Sequence, residues 1–274
     1  MAKYGLKAFD LSGKTALVTG ASGLLGKEHV AALAEAGARV IMTDVNASTL
    51  SSAREELSVS YQTDILTAIM DVTDERAIAD VGRQFPQIDI LINNAAIDPK
   101  VSVDSTALEL SRLENFPLNE WRLHLDVGVT GAFLCSRHFG TQMAARQFGV
   151  ILNVASDLSV IAPDQRLYRK DSLPLDQQPV KPIAYSAVKT ALIGITRYCA
   201  SYWARQGVRV NAISPGGVYN DHPEEFVSRL SALIPMGRMA NISEYRSAVQ
   251  FLCSDASSYM TGQNIVIDGG RSVI

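Results

Sequence analysis

Tyr185 and Lys189 stand four residues apart in the run YSAVK. On a helix that spacing puts them one above the other on the same face. A free tyrosine ionises near pH ~10 and is a poor acid or base at neutrality. A fixed ammonium beside it favours the phenolate and lowers its pKa, which makes the pair a candidate proton donor and acceptor. Taken alone the pattern is weak, since any helix with a surface tyrosine and a solvated lysine can show it.

A second run with chemical meaning is TGASGLLG, residues 19–26, with glycines at 20, 23 and 26. It follows an apolar strand-like run (KTALVTG) and opens an Ala/Leu-rich helical run. A turn without Cβ atoms lets backbone N–H groups reach a pyrophosphate, and the helix N-terminus adds its dipole. The expected contacts are Gly20, Ser22, Gly23, Leu24, Leu25 and Gly26. Asp44 ends the next strand-like run, eighteen residues after Gly26. A carboxylate there accepts hydrogen bonds from an adenosine ribose and repels a 2′-phosphate. No Lys or Arg stands in the turn or beside Asp44, so NAD is expected over NADP.

The elements that must position these residues alternate along the chain. Strands are expected at Lys14–Gly20, Arg39–Asp44, Ile65–Val72, Ile88–Ala95, Val150–Ala155, Val208–Ser214 and Asn264–Asp268. Helices are expected at Leu24–Ala36, about Ala47–Leu57, Thr73–Phe85 (with Thr73 as N-cap), about Leu118–Gln147, Tyr185–Gln206, Glu224–Leu233 and Ser243–Cys253. Alternation of this kind implies an α/β, doubly wound parallel sheet of seven strands with helices on both faces, a Rossmann fold in one domain over residues 1–274. The strands read as continuous apolar runs, as strands covered on both faces should. Two Pro-containing irregular stretches, near 97–117 and 157–182, follow strands four and five. They fall at the carboxyl edge of the sheet, where such folds bind ligand.

The chain has 274 residues, 47% of them apolar, and a formal net charge of −3. One large core is within reach, and nothing suggests a nucleic-acid surface. Cys135, Cys199 and Cys253 lie far apart in apolar contexts and read as free buried thiols of a reducing, cytoplasmic compartment. The four histidines lack ligand spacing, so no metal is expected. The opening MAKYGLKAFDLSGK has no apolar core of a secretory signal. No apolar run reaches the ~18 residues of a membrane span.

With these residues in hand, the chain is identified as resembling the short-chain dehydrogenase/reductases. The resemblance runs from KTALVTG to TGQNIVIDGG. It is carried by TGASGLLG, Asp44, Asp71–Val72, NNAA at Asn93–Ala96, Ser156, YSAVK, NAISPGGV at Asn211–Val218 and the closing DGG. The resemblance implies that Asp71 and Val72 hold the adenine, that Asn94 and Ala95 line the cofactor, and that Pro215, Gly216 and Val218 contact the nicotinamide. It implies that Ser156, Tyr185 and Lys189 are catalytic, with Lys189 also holding the nicotinamide ribose. The activity implied is interconversion of a secondary alcohol and a ketone on a small molecule. The assembly implied is a homotetramer or homodimer on the two long helices.

Three departures from the family pattern bear on function. The T-G-x-x-G-x-x-G turn has the spacing of the longer, extended branch, many of whose members act on nucleotide sugars. Gly128 stands where the family has an Asn that completes a proton relay; it is either a harmless substitution or helix kink, or room made for substrate or water. The gap between Ser156 and Tyr185 is 29 residues, about twice the usual. In that insertion Arg166, Arg169 and Lys170 either grip an anionic substrate or are ordinary surface charges, and Tyr168 either covers the substrate or packs the loop. Asp98 and Asp157 either bind substrate hydroxyls or serve as turn residues. The expected function is an NAD-dependent oxidoreductase on a polar, sugar-like substrate. The competing readings are a nucleotide-sugar epimerase or dehydratase with tightly bound NAD, and a non-catalytic NAD-binding regulator.

Overall fold

The computed structural model describes residues 5–98 and 111–274. Seven parallel strands form one sheet: β1 (Thr15–Thr19), β2 (Arg39–Asp44), β3 (Ile65–Ile69), β4 (Ile90–Asn93), β5 (Gly149–Val154), β6 (Val208–Pro215) and β7 (Asn264–Ile267). Their order is β3-β2-β1-β4-β5-β6-β7. The winding reverses between β1 and β4, so a crevice opens above the carboxyl ends of those two strands. The central strands are buried along nearly their whole length. Both edge strands, β3 and β7, are half open, so the expectation of strands covered on both faces holds only for the middle of the sheet.

Helices cover both faces. One face carries α1 (Leu24–Glu35), α2 (Ala47–Ser60) and α7 (Arg246–Cys253), packed through Val30, Leu33, Leu50, Leu57, Val249 and Leu252. The other carries α3 (Glu75–Gln84), α4 (over 118–145) and α5 (Ile183–Trp203), packed through Ile78, Val81, Phe139, Met143 and Trp203. Each such buried side chain contributes about 1.5–3 kcal/mol. The remaining helix, α6 (Glu224–Ser231), sits over the irregular insertion. Helix α3 begins one residue later than expected: Asp74, not Thr73, is its N-cap and accepts from the Arg76 N–H. Thr73 instead donates to Asp71 through both its N–H and its hydroxyl.

Helix α4 departs most from a plain reading. It contains two π turns, Asp126–Thr130 and Ser136–Gly140, which shift the register of its faces. Its glycines meet neighbours too close for a side chain. A Cβ on Gly128 would fall inside Val188 of α5, and one on Gly140 would stand 2.5 Å from the Trp203 ring. A Cβ on Gly131 would stand 2.6 Å from Val72. These glycines let α4 press directly on the helix that carries Tyr185 and on the loop after β3. The space at Gly128 is therefore filled by Val188, which corrects the reading of room for substrate or water.

The expected stretch 97–117 falls mostly on residues 99–110, outside the described residues. A 3-10 turn, Leu113–Asn115, precedes α4. The stretch 157–182 is a folded lobe built on three 3-10 turns. Leu167 of this lobe packs with Leu230, Ile234 and Met239 in a small core of its own. The Gln178 side chain closes the lobe, accepting from Lys170 N–H (2.7 Å) and donating to the carbonyls of Lys170 (2.8 Å) and Leu173 (2.5 Å). Cys135 and Cys253 are buried and free; Cys199 is free but only half-buried. Among the described residues no helix is long and apolar enough to cross a membrane.

Candidate active site

A single cleft of about 1110 Å³ runs across the carboxyl edge of the sheet. Every cofactor and catalytic residue expected from the sequence lines it. At one end is the glycine turn. Gly20 has φ +60°, and a Cβ there would stand 2.8 Å from Ala95 Cα. A Cβ on Gly26 would stand 2.9 Å from Ala21 backbone atoms. Only glycine fits at both positions, for conformational reasons at the first and for space at both. The turn is also clamped from β4. Asn94 Nδ2 donates to the carbonyls of Thr19 and Gly20, both at 2.9 Å, and Thr19 Oγ1 accepts from the N–H groups of Asn94 and Ala95. Asn94 thus shapes the turn as well as lining the cleft.

Asp44 reaches the same turn. Its Oδ2 accepts from the Ser22 hydroxyl (2.6 Å) and the Ser22 N–H (3.2 Å). Lys27, the nearest basic residue in the helix that follows, is taken up by Glu56 at 2.8 Å. A carboxylate fixed beside a backbone cradle at the N-terminus of α1 is a donor and acceptor set that suits a dinucleotide. Gly20, Ser22, Gly23, Leu24, Leu25 and Gly26 would hold its pyrophosphate, Asp44 its ribose, and Asp71 and Val72 its adenine.

At the other end, Ser156, Tyr185 and Lys189 converge. Ser156 leaves β5 as the N-cap of the turn Asp157–Ser159, its Oγ accepting from the Leu158 N–H at 3.2 Å. Lys189 is buried and donates to the Val154 carbonyl at 2.7 Å. Its Nζ lies 5.7 Å from the Tyr185 ring centroid. Burial lowers the Lys189 pKa to about 8. Burial also pushes the Tyr185 hydroxyl up, with the Asp98 carboxylate adding to the rise and hydrogen bonding from Ser156 opposing it. The expected lowering by Lys189 is therefore not what the folded chain alone provides: desolvation of the phenolate raises the pKa instead.

Side chains of the insertion complete this end. Lys181 Nζ sits 4.0 Å from the Tyr185 ring centroid and pairs with Asp98 at 2.6 Å. Asp157, a suspected hydroxyl binder or turn residue, pairs with Arg271 at 2.8 Å, and both are buried. Tyr168, Arg169 and Lys170 line the cleft; Arg166 does not, and is held by Asp164 at the exposed surface. Lys181 and Arg271 were not marked by the sequence. Lys181 lies just before Pro182 and the YSAVK run, and Arg271 just after the closing DGG, and neither position belongs to a spaced pattern.

The family model described as short chain dehydrogenase matches residues 14–168, and that described as Enoyl-(Acyl carrier protein) reductase matches residues 176–272. The chain belongs to the short-chain dehydrogenase/reductase family. It is 31% identical to an NAD-dependent glycerol dehydrogenase of Listeria innocua over 97% of both chains. It is 34% identical to a galactitol 2-dehydrogenase (L-tagatose-forming) of Cereibacter sphaeroides, again over 97% of both. Among solved structures, a gluconate 5-dehydrogenase of Burkholderia cenocepacia in complex with NADP and tartrate superposes with a TM-score of 0.82. It is 27% identical, with 97% of this chain and 98% of that one covered. Within this short-chain dehydrogenase/reductase the doubly wound sheet and the cleft at its carboxyl edge follow the family architecture.

Proposed function

We propose that this short-chain dehydrogenase/reductase is an NAD-preferring enzyme that interconverts a secondary alcohol and a ketone on a polyol or sugar-derived substrate. The observation that carries the reading is the convergence of Ser156, Tyr185 and Lys189 in the same cleft as the glycine turn and Asp44. When bound, the nicotinamide supplies the hydride donor or acceptor. Tyr185 gives a proton to the ketone oxygen, or takes one from the alcohol. Ser156 hydrogen-bonds the same oxygen and fixes its position. Lys189, held by the Val154 carbonyl, keeps two further N–H groups that would serve the tyrosine hydroxyl and, with NAD bound, the nicotinamide ribose. Pro215, Gly216 and Val218 line the cleft and would hold the nicotinamide.

The raised Tyr185 pKa sets a direction with pH. A phenol that keeps its proton is ready to reduce a ketone, whereas oxidation needs the phenolate. Alcohol oxidation therefore accelerates as pH rises from 7 to 10. The choice of NAD rests on Asp44 and on the pairing of Lys27 with Glu56; a gluconate 5-dehydrogenase in complex with NADP argues the other way. Polyol or sugar-acid chemistry draws on the named relatives. A homotetramer or homodimer would bury the exposed aromatic residues Phe133 on α4 and Tyr198 and Tyr202 on α5. A reducing, cytoplasmic setting suits the three free thiols.

The test is NADH absorbance with purified protein against glycerol, galactitol, threitol, gluconate and nucleotide sugars. Steady NADH formation with a polyol or sugar acid supports the reading. Conversion of a nucleotide sugar without NADH release would replace it with the epimerase. Binding of NAD with no turnover of any of these would leave a regulator.

A further inference from the structure

One charged network at the cleft is fully internal. Ser156 Oγ lies 2.9 Å from Asp157 Oδ1, and Asp157 Oδ2 lies 2.8 Å from Arg271 Nη1. The side chains of Asp157 and Arg271 are only 5% and 9% exposed. An ion pair this buried is costly to desolvate and is not explained by stability alone. Arg271 reaches it because the chain turns sharply after β7. Asp268 accepts from the N–H groups of Gly270 (2.9 Å) and Ser272 (2.7 Å), and Gly269 and Gly270 take φ of +67° and +90°. That turn aims a residue from the end of the chain at the serine end of the cleft.

Ser156 has a single proton. Asp157 Oδ1 and the Tyr185 oxygen compete for it; while Asp157 accepts it, the proton is held away from any substrate oxygen, and a lone carboxylate would keep it there. It would also set a fixed negative charge beside an oxygen that gains negative charge during reaction. The guanidinium on the far carboxylate oxygen weakens both effects while keeping the carboxylate still. We propose that Arg271 and Asp157 are positioning residues for Ser156: Asp157 fixes the rotamer of the hydroxyl, and Arg271 neutralises Asp157 so that the serine proton transfers its hydrogen bond to the substrate oxygen. The turn after β7 thus helps to position Ser156. The inference rests on Ser156 and Tyr185 being the groups that meet the reacting oxygen.

Other charges face Tyr185 and must be held constant in a test. They are Asp98 after β4, Tyr168 and Lys181 from the insertion, and Lys189 on α5, while His124 of α4 faces Asp98 and Lys181. The variants are Arg271→Met, Arg271→Lys and the charge-neutral pair Asp157→Leu with Arg271→Met, which also removes the acceptor for the serine hydroxyl. Each is crystallised, and oxidation of the best polyol from the NADH assay is followed from pH 6 to 10.

Arg271→Met should lower kcat tenfold or more with little change in NAD affinity, and should move the rise in oxidation rate to higher pH. Arg271→Lys should recover part of the loss. The double variant should keep a low kcat but move the rise back to or below the wild-type pH, and its Ser156 hydroxyl should leave the wild-type rotamer. If Arg271→Met does not fold, the double variant carries the test, because it leaves no unpaired charge. A wild-type Ser156 rotamer and a wild-type pH profile in the double variant overturn the proposal. The crystal structure needs no substrate. Turnover that survives Tyr185→Phe overturns the underlying assignment instead, so the two failures are told apart.

Discussion

The two ends of the cleft are built by different means. At the dinucleotide end the close approaches are backbone against backbone: Gly20 under Ala95, Gly26 over Ala21, and the Asn94 side chain tied to two carbonyls. At the substrate end the shape is set by side chains from distant parts of the chain. Arg271 meets Asp157, Lys181 meets Asp98, and Arg229 of α6 donates to the Arg169 carbonyl of the insertion. A backbone cradle demands glycine at fixed spacing and tolerates little change. A side-chain cluster can be assembled from many positions. The first end is suited to a constant ligand, the second to one that differs from enzyme to enzyme.

The sharpest way to break this division is Tyr185→Phe. Loss of the proton-transferring hydroxyl should cut turnover by about 10²–10⁴-fold, the usual scale of general acid–base catalysis. Calorimetric NAD affinity should stay within about twofold, because the dinucleotide cradle is untouched. A parallel loss of NAD binding would mean that the two ends are not separable.

Gly26→Ala tests the opposite end. A methyl group 2.9 Å from Ala21 backbone atoms must open the turn. Overpacking of this kind costs about 1–3 kcal/mol, or roughly five- to 150-fold in NAD affinity if the cost falls on the bound form. The pH dependence of any remaining turnover should match wild type. Unchanged NAD affinity would remove the turn from the site. Asp44→Ser should have a smaller effect. It removes the charge that repels a 2′-phosphate while leaving a hydroxyl near Ser22. The ratio of kcat/KM for NAD over NADP should fall by about tenfold. A constant ratio would strip Asp44 of its role in cofactor choice.

The same division explains what the chain disclosed before it was folded. Strand β2 falls at Arg39–Asp44 as read from its apolar run, and the glycine turn falls between β1 and α1, since both follow from local pattern. The approach of Asp44 to the turn is legible because its distance is fixed by one βαβ unit. The π turns of α4 were not legible, because their cause is tertiary: Gly128, Gly131 and Gly140 take up the close contacts of Val188, Val72 and Trp203. The pKa of Tyr185 departs from its sequence expectation for a related reason. Spacing brings an ammonium near, but only the packed structure tells how much water is lost around the phenol. Arg271 lies 114 residues from its partner Asp157, and no periodicity links them.

The mildest probe of the contrast is the Lys181–Asp98 pair, since it belongs to the insertion and one partner faces solvent. Lys181 is 11% exposed and Asp98 is 67% exposed. Asp98 raises the Tyr185 pKa, and its partner Lys181 places an opposite charge 4.0 Å from the same ring centroid. Removing the cation by Lys181→Met should therefore move the rise in oxidation rate to higher pH. Removing the anion by Asp98→Asn should move it to lower pH. Solvent around Asp98 screens both effects, so each shift should stay below about one pH unit. Each should also shrink further at 1 M salt, where the screening length falls to about 3 Å. Neither change reaches the glycine turn, so NAD affinity should not follow. Shifts in the same direction for the two variants would show that the pair acts by holding the insertion in place rather than through its field on Tyr185.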